Sequence, residues 1–592
     1  MGKTKKKFHL WKFVKPYKVP FFIAVISIVV ENGLEISLPF LMNVMLKNGM
    51  NKVGNTYTYD APFVYMIGGI MLAFAVASFF LGLLSAKMTA IAGRGFGYEL
   101  RKEEYKKIQD FSFANLDQFR INSLITRMTN DVQIVSDTFC QMLRPILRGP
   151  FQLVFALAFA FTISVDLSIV FAVVIPLLAI ALGTIILLTR PKFYKLQKAI
   201  DNVNRTTEES LTAMKLVRAN AKKDYEIEKF TKVNNEVKLI GTKGMVLMAT
   251  NMGIMQFMTY ACTVGILLLG GLSVFENWHP SVSTADTAAN IASFLSYATQ
   301  TMASLMMISN VFMMFTRSGA SIERVKEVFC SESEIKENKE SKLSVETGDI
   351  TFDNVSFKYN NEADEYVLKN INFEIKDGET IGILGETGSS KSTLIYLIER
   401  FYDVSEGKIL ISGHNVKDYT LEELRKKIAI SFQSPRLFTG TVKDNLLWGK
   451  PDATDEEIEE ACKIACCHDF IVNSLSNGYD TMIGQGGGNV SGGQRQRICI
   501  ARALIRNPKI LIMDDSFSAL DRITEGQLKE NLKTKLPHMT KIIISQKVSA
   551  IADADKIIVL NDGKINNIGT GEWLSQNDPI YQDIYSIQKE GH

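Results

Sequence analysis

Gly385-Glu386-Thr387-Gly388-Ser389-Ser390-Lys391-Ser392-Thr393 follows a short apolar run, Ile381 to Leu384, and opens a helix-like stretch that reaches Arg400. A strand, a glycine-rich turn and a helix in that order make a loop whose backbone N–H groups and helix amino end can hold phosphate oxygens. The spacing is close to G-x-x-x-x-G-K-[ST], which gives the β and γ phosphates to Lys391 and a Mg2+ ion to the Ser392 hydroxyl. Ser390 stands where that pattern has the glycine before the lysine. A serine still presents its N–H, but it crowds the approach of backbone to phosphate, so binding is expected to survive with altered affinity.

Toward the carboxyl end, Lys509 to Met513 form an apolar strand closed by Asp514, the place for a carboxylate that orients Mg2+ through water. Between loop and strand lies Val490-Ser491-Gly492-Gly493-Gln494, followed by Arg495-Gln496-Arg497 and a helix through Leu504. Strands and helices alternate over 349–592, which predicts an α/β domain carrying this phosphate-binding loop. Before it, 321–348 reads as a linker, with Ser331 to Ser344 rich in Ser, Glu and Lys.

Toward the amino end the composition changes character. Six stretches, near 20–42, 63–91, 138–163, 166–190, 245–275 and 286–315, are apolar for the roughly 20 residues needed to cross ~30 Å of hydrocarbon. Residues 20–320 are therefore expected to form a six-helix transmembrane domain, and 1–19 a basic elbow in the membrane interface, where Phe8, Trp11, Val14 and Tyr17 interleave with lysines. The lysine-rich amino terminus, set against an outer loop near 276–285 without Lys or Arg, predicts that both termini are cytoplasmic. The polar loops 92–137 and 191–244 keep a helical rhythm, so the helices should continue beyond the membrane and turn at Ser112 to Phe119 and Glu209 to Val217. Short helices at those turns would press on an ATPase domain. Within the spans, Glu31 and Glu35 lie one turn apart, as do Arg144 and Arg148, which predicts that the pairs face each other or a cavity.

The whole chain of 592 residues carries a formal charge of only +3, which gives no bulk electrostatic case for nucleic acid. Its seven cysteines are scattered, so no disulfide framework is expected. Cys466-Cys467-His468 lacks a second ligand pair at zinc spacing and reads as helix packing.

Ser491 to Gln494, together with the loop and the Asp514 strand, resembles the signature motif of ATP-binding cassette (ABC) proteins, and six spans before one ATPase domain are similar to the layout of the family's exporters. The resemblance implies further roles. Tyr359 matches the aromatic that stacks on adenine, Gln433 the glutamine that touches Mg2+ and senses the membrane domain, and Ser518-Ala519-Leu520-Asp521 the loop that crosses to a partner's site. The segment Gly484 to Gly487 matches one that meets the coupling helices, with Gln485 where exporters usually have glutamate.

Two departures bear on mechanism. The glutamate that polarizes the attacking water in competent relatives is Asp515 here, and the switch histidine at the γ phosphate is Gln546. One methylene fewer draws a carboxylate back by roughly an ångström, and glutamine cannot become cationic. With Ser390, these changes bear on one γ phosphate, whereas the signature is intact. In this family each ATP lies between one domain's phosphate loop and the other's signature. The resemblance therefore implies a heterodimer: a second, non-identical half-transporter with intact glutamate and histidine, and an ATP-driven exporter of lipophilic or amphipathic compounds in a bacterial plasma membrane. A lipid or peptide exporter of the same architecture, and a regulatory ATP-binding subunit without transport, are the alternatives.

Overall fold

Long apolar runs without internal water partners must satisfy their backbone within one segment, and here they do so as helices. The computed structural model describes residues 8–53, 56–275, 284–360, 365–386 and 388–590. Among them, six helices are long and apolar enough to cross a membrane, and a carboxy-terminal α/β domain follows. The chain divides into two compact units, 1–110 with 120–331 and 111–119 with 332–592.

In the first unit a short basic helix, Trp11–Val14, leads through a 3-10 turn into α1 (Lys18–Gly49). Then come α2 (Ala61–Gln109), α3 (Phe113–Phe119, grouped with the other unit) and α4 (Val132–Ile163). Next are α5 (Val165–Thr212), α6 (Met214–Ala219), α7 (Lys223–Phe275) and α8 (Thr284–Cys330). Small residues let helices approach: a Cβ on Gly93 would meet Cys140 Sγ at 1.9 Å, and one on Gly97 would meet Ser136 Oγ at 2.5 Å. Polar seams then fix register. Asn43 donates to Asn290 Oδ1 at 2.9 Å, and Tyr297 donates to the Ile36 carbonyl at 3.1 Å.

Glu31 and Glu35 face Arg144 and Arg148 across α1 and α4. Arg144 binds Glu31 and Arg148 binds Glu35, with a further Arg148–Glu31 approach of 3.7 Å. Glu31 is 4% exposed, so its charge is compensated by the two guanidiniums rather than by water.

The boundary expected at 320 falls inside α8. Asp131, at the end of a π-helical turn before α4, accepts from Ser321 Oγ at 2.8 Å and Arg324 Nε at 2.7 Å, and Val325 and Val328 are buried. Residues 321–330 are therefore helix rather than linker, and the irregular segment starts at Ser331.

The second unit is built on two large sheets, with a small two-stranded ribbon pairing Gly440–Thr441 and Met482–Ile483. The antiparallel one contains β1 (Ile350–Phe357), β2 (Leu368–Ile375), β4 (Glu406–Ile411) and β5 (His414–Asn415), in the order β2-β1-β4-β5. The other contains β3 (Thr380–Leu384), β6 (Ile428–Ser431), β7 (Ile510–Asp514), β8 (Thr540–Ile544), β9 (Lys556–Asn561) and β10 (Lys564–Gly569), in the order β10-β9-β3-β8-β7-β6. All its pairs are parallel except β9 with β10. Every residue of β7 and β8 is buried, which explains why those strands read as unbroken apolar runs. The helix α9 (Lys391–Ile398) buries Leu394, Ile395, Leu397 and Ile398 between the sheets.

Candidate functional site

Ligands of open α/β sheets bind beyond the carboxyl ends of parallel strands, and three neighbouring strands here release their loops at that edge. β3 leads into Gly385, β7 ends in Asp514, and β8 leads into Ser545 and Gln546. These loops, with Gln433 after β6, surround a cavity of about 330 Å³ lined by Gly388, Ser390, Lys391, Ser392, Thr393, Gln433, Asp514, Asp515 and Gln546. The three departures at 390, 515 and 546 thus line one cavity.

The loop is drawn tight by its own side chains. Lys391 Nζ donates to the carbonyls of Gly385 and Glu386, both at 2.7 Å, and to Ser389 Oγ at 3.2 Å. Burial pulls the Lys391 ammonium down, while Asp515 and Asp514 draw it back. Gly385 has no room for a side chain, since a Cβ would lie 2.3 Å from the Leu560 carbonyl oxygen. Ser390 has φ 74°, in the left-handed region. Left-handed φ is therefore what glycine would have relieved there, and serine carries a strain of about 1 kcal/mol. Ser389 lies within the turn, donating to the Glu386 carbonyl at 2.8 Å. Thr387 lies outside the described residues.

Oxygen donors gather on the floor. Ser392 Oγ donates to Asp514 Oδ2 at 3.1 Å, and Gln433 Nε2 donates to Asp515 Oδ2 at 3.4 Å. Burial pushes both aspartates up, against the hydrogen bonds from Ser392 and Gln433 respectively. Hydroxyl, carboxylate and amide oxygens suit Mg2+. Among the described residues no cluster of three His, Cys, Asp or Glu is disposed to hold a metal. The ion would therefore need phosphate oxygens and water to complete its shell. Asp515 has φ 46°; its N–H donates to the Ile544 carbonyl at 2.9 Å and its carbonyl accepts from Ser518 Oγ at 2.7 Å, so its backbone is fixed.

Tyr359 stands beside this floor, its hydroxyl 2.8 Å from Thr393 Oγ1 and its ring edge-on to Tyr402 at 5.0 Å. Ser491, Gly492, Gly493 and Gln494 are not among the cavity's lining residues. They start α10 (Gly492–Leu504) with a capping box: Gln494 N donates to Ser491 Oγ at 3.2 Å and Ser491 N to Gln494 Oε1 at 2.9 Å. A Cβ on Gly493 would approach the Ala519 carbonyl oxygen at 2.9 Å, which seats the Ser518–Asp521 loop against the signature. Asp521 caps the helix α11 (Arg522–Lys535), and hydrogen bonds from Thr524 hold its carboxyl below the usual range.

Two features carried no motif. Tyr402 donates to Asp117 Oδ2 on α3 at 2.7 Å, and Phe113 of α3 lies 4.4 Å from the Phe401 ring, so the short helix expected at Ser112 to Phe119 packs beside the aromatic that supports Tyr359. Glu399, at the end of α9, is 4% exposed, with Oε1 lacking a hydrogen-bond partner. Burial pushes it up to about 7, against the pull of Arg506 and Arg425. Only the apolar pattern of α9 hinted at the depth of that position.

Comparison with known proteins places these elements in context. The family described as ABC transporter transmembrane region matches residues 21–315, and the family described as ABC transporter matches residues 368–518. The chain is 37% identical to the ABC transporter ATP-binding protein YfiB of Bacillus subtilis, itself uncharacterized, over 97% of each chain. It is 32% identical to a candidate multidrug export ATP-binding/permease protein of Staphylococcus aureus, covering 98% of this chain and 99% of that one. The solved structure of a bacterial Atm1-family ABC exporter with ATP bound shares the fold, with a TM-score of 0.81 at 23% identity, covering 95% of this chain and 98% of that one.

Proposed function

Because this chain belongs to the ABC transporters, with a six-helix membrane region and its own ATP-binding domain, we propose that it is one half of a heterodimeric exporter whose own nucleotide site holds ATP and hydrolyses it poorly. The observation that carries this reading is the convergence of Ser390, Asp515 and Gln546 on one cavity beside an otherwise complete phosphate-binding floor.

Lys391 exchanges the carbonyls of Gly385 and Glu386 for β and γ phosphate oxygens, and Tyr359 offers a ring to the adenine. Ser392, Gln433 and Asp514 are the residues that would hold Mg2+, which would supply charge neutralization on the phosphates. Asp515 sits on a fixed backbone with too short a side chain to reach an attacking water. Gln546 can donate to a γ phosphate oxygen but brings no positive charge. The exposed signature, Ser491 to Gln494, completes the site of a second, non-identical half-transporter that carries glutamate and histidine. Binding of two ATP closes the ATPase domains and turns the membrane helices from inward to outward access, and hydrolysis at the partner's site resets them. The cargo is lipophilic or amphipathic, in keeping with the export function in the name of the Staphylococcus aureus relative, and the termini lie in the cytoplasm of a bacterial cell.

The test is steady-state ATP hydrolysis in lipid, measured for this chain alone and with the exporter subunit encoded beside it. Negligible turnover alone and robust turnover for the pair support the proposal; robust turnover alone would mean a working homodimer.

A further inference from the structure

The loop after β8 carries Gln546 into the nucleotide cavity, and its backbone is held from an unexpected direction. Gln588, in the carboxy-terminal helix α12 (Pro579–Glu590), donates from Nε2 to the Gln546 carbonyl at 2.7 Å and accepts at Oε1 from the Val548 N–H at 2.9 Å. One side-chain amide thus spans the loop, using its donor and its acceptor at once. Two further bonds fix the approach: Ser545 N donates to the Ile383 carbonyl at 3.2 Å, and Lys547 N to Ser545 Oγ at 2.9 Å. Gln546 itself is among the residues that line the cavity.

The helix that delivers Gln588 is itself anchored. Tyr581 is buried in the ATPase core and Ile584 packs against the same cluster; with Gln588 they lie at i, i+3 and i+7, on one helical face. The Asp578 carboxylate accepts the Tyr581 N–H at 2.7 Å and also the side-chain amides of Asn566 and Asn567, tying the start of the helix to β10.

We propose that Gln588 is a positioning residue for nucleotide recognition: it fixes the backbone of the 545–548 loop so that the Gln546 amide meets the γ phosphate, and thereby gives the site its preference for ATP over ADP. This rests on the reading of Gln546 as the γ phosphate contact. A glutamine here has one amide to aim and no cationic charge to act at longer range, so its usefulness depends on where the backbone puts it.

The experiment measures Mg-ATP and Mg-ADP affinity by calorimetry on the full-length chain, as wild type, Gln588→Ala, Gln588→Glu, Gln546→Ala and the double variant Gln588→Ala/Gln546→Ala. Gln588→Glu keeps the shape and the acceptor for Val548 but loses the donor to the Gln546 carbonyl. Both single changes at 588 are expected to weaken ATP about fivefold and leave ADP unchanged, as fits loss of part of one charge-assisted hydrogen bond. In the Gln546→Ala background the effect of Gln588→Ala should vanish. A general folding defect would instead lower ADP affinity equally, and an effect that persists without the Gln546 side chain, or no effect at all, overturns the proposal. If Gln546→Ala itself leaves ATP affinity unchanged, the underlying reading of Gln546 fails instead.

Discussion

On the proposed reading of this site as one that holds ATP, extending Asp515 to glutamate and placing histidine at 546 should make it a hydrolysing one. Asp515 is suited to the test because its backbone is fixed by the bonds to Ile544 and from Ser518, so an added methylene advances the carboxylate without moving the strand. Gln433 Nε2, at 3.4 Å from Asp515 Oδ2, marks the side from which that carboxylate is already steered. A general base contributes about 10²–10⁴ in rate, and a misplacement of about 1 Å costs on the order of 10². Asp515→Glu is therefore expected to recover about 10², or ~2.7 kcal/mol of barrier, and adding Gln546→His to raise the rate further by supplying a group that can become cationic at the γ phosphate. The assay is initial-rate phosphate release by the full-length chain paired with the exporter subunit encoded beside it, that subunit's own catalytic glutamate replaced by glutamine, at saturating Mg-ATP, with ATP affinity measured in parallel. A double variant that binds ATP normally yet releases phosphate no faster than wild type would refute the geometric argument.

Glu399→Gln tests the buried carboxyl at the end of α9. Its folded value of about 7 lies above the ordinary 4.5, so the protonated form's stability is fully present below about 4.5 and lost as pH rises through about 7. The amide should stabilize the ATPase domain by about 3 kcal/mol at pH 8 and by only about 1 kcal/mol at pH 5; equal shifts in unfolding midpoint at the two pH values would refute this. Glu31→Gln leaves Arg144 without its carboxylate inside the bundle, while Arg148 keeps Glu35, at a cost of about 3 kcal/mol. Thermal stability in detergent should fall, and Glu31→Gln/Arg144→Gln should recover a good part of it; an unaltered single variant would show that the pairs add nothing.

What the sequence disclosed was local chemistry. The phosphate loop, the Asp514 strand and the signature each fit within about ten consecutive residues, so spacing alone exposes them. The Glu31, Glu35, Arg144 and Arg148 quartet was also legible, because helical period puts each pair on one face and hydrocarbon punishes charges left alone. Contacts between distant segments were not legible. Nothing near Gln588 announces that it will reach the loop 42 positions earlier, and Asp117 gives no sign of Tyr402. The end of α8 was misjudged because Ser321, Arg324 and Glu327 look like a solvated linker until Asp131 and Arg127 are placed beside them. The positive φ at Ser390 was likewise invisible: the motif spacing marks a glycine there, and the left-handed backbone adds a reason the spacing does not give.

The grouping of 111–119 with 332–592 means that the ATPase unit is not one uninterrupted length of polypeptide. The backbone passes between the units at 110, at 120 and again near 331, so cleaving the Ser331 to Ser344 segment would sever only the last of the three crossings. A fragment starting at 332 would also lack Phe113 and Asp117, baring the aromatic pair Phe401 and Tyr402 to water. Such a fragment is a different object from the ATPase half of the intact chain, with a sticky face of its own making.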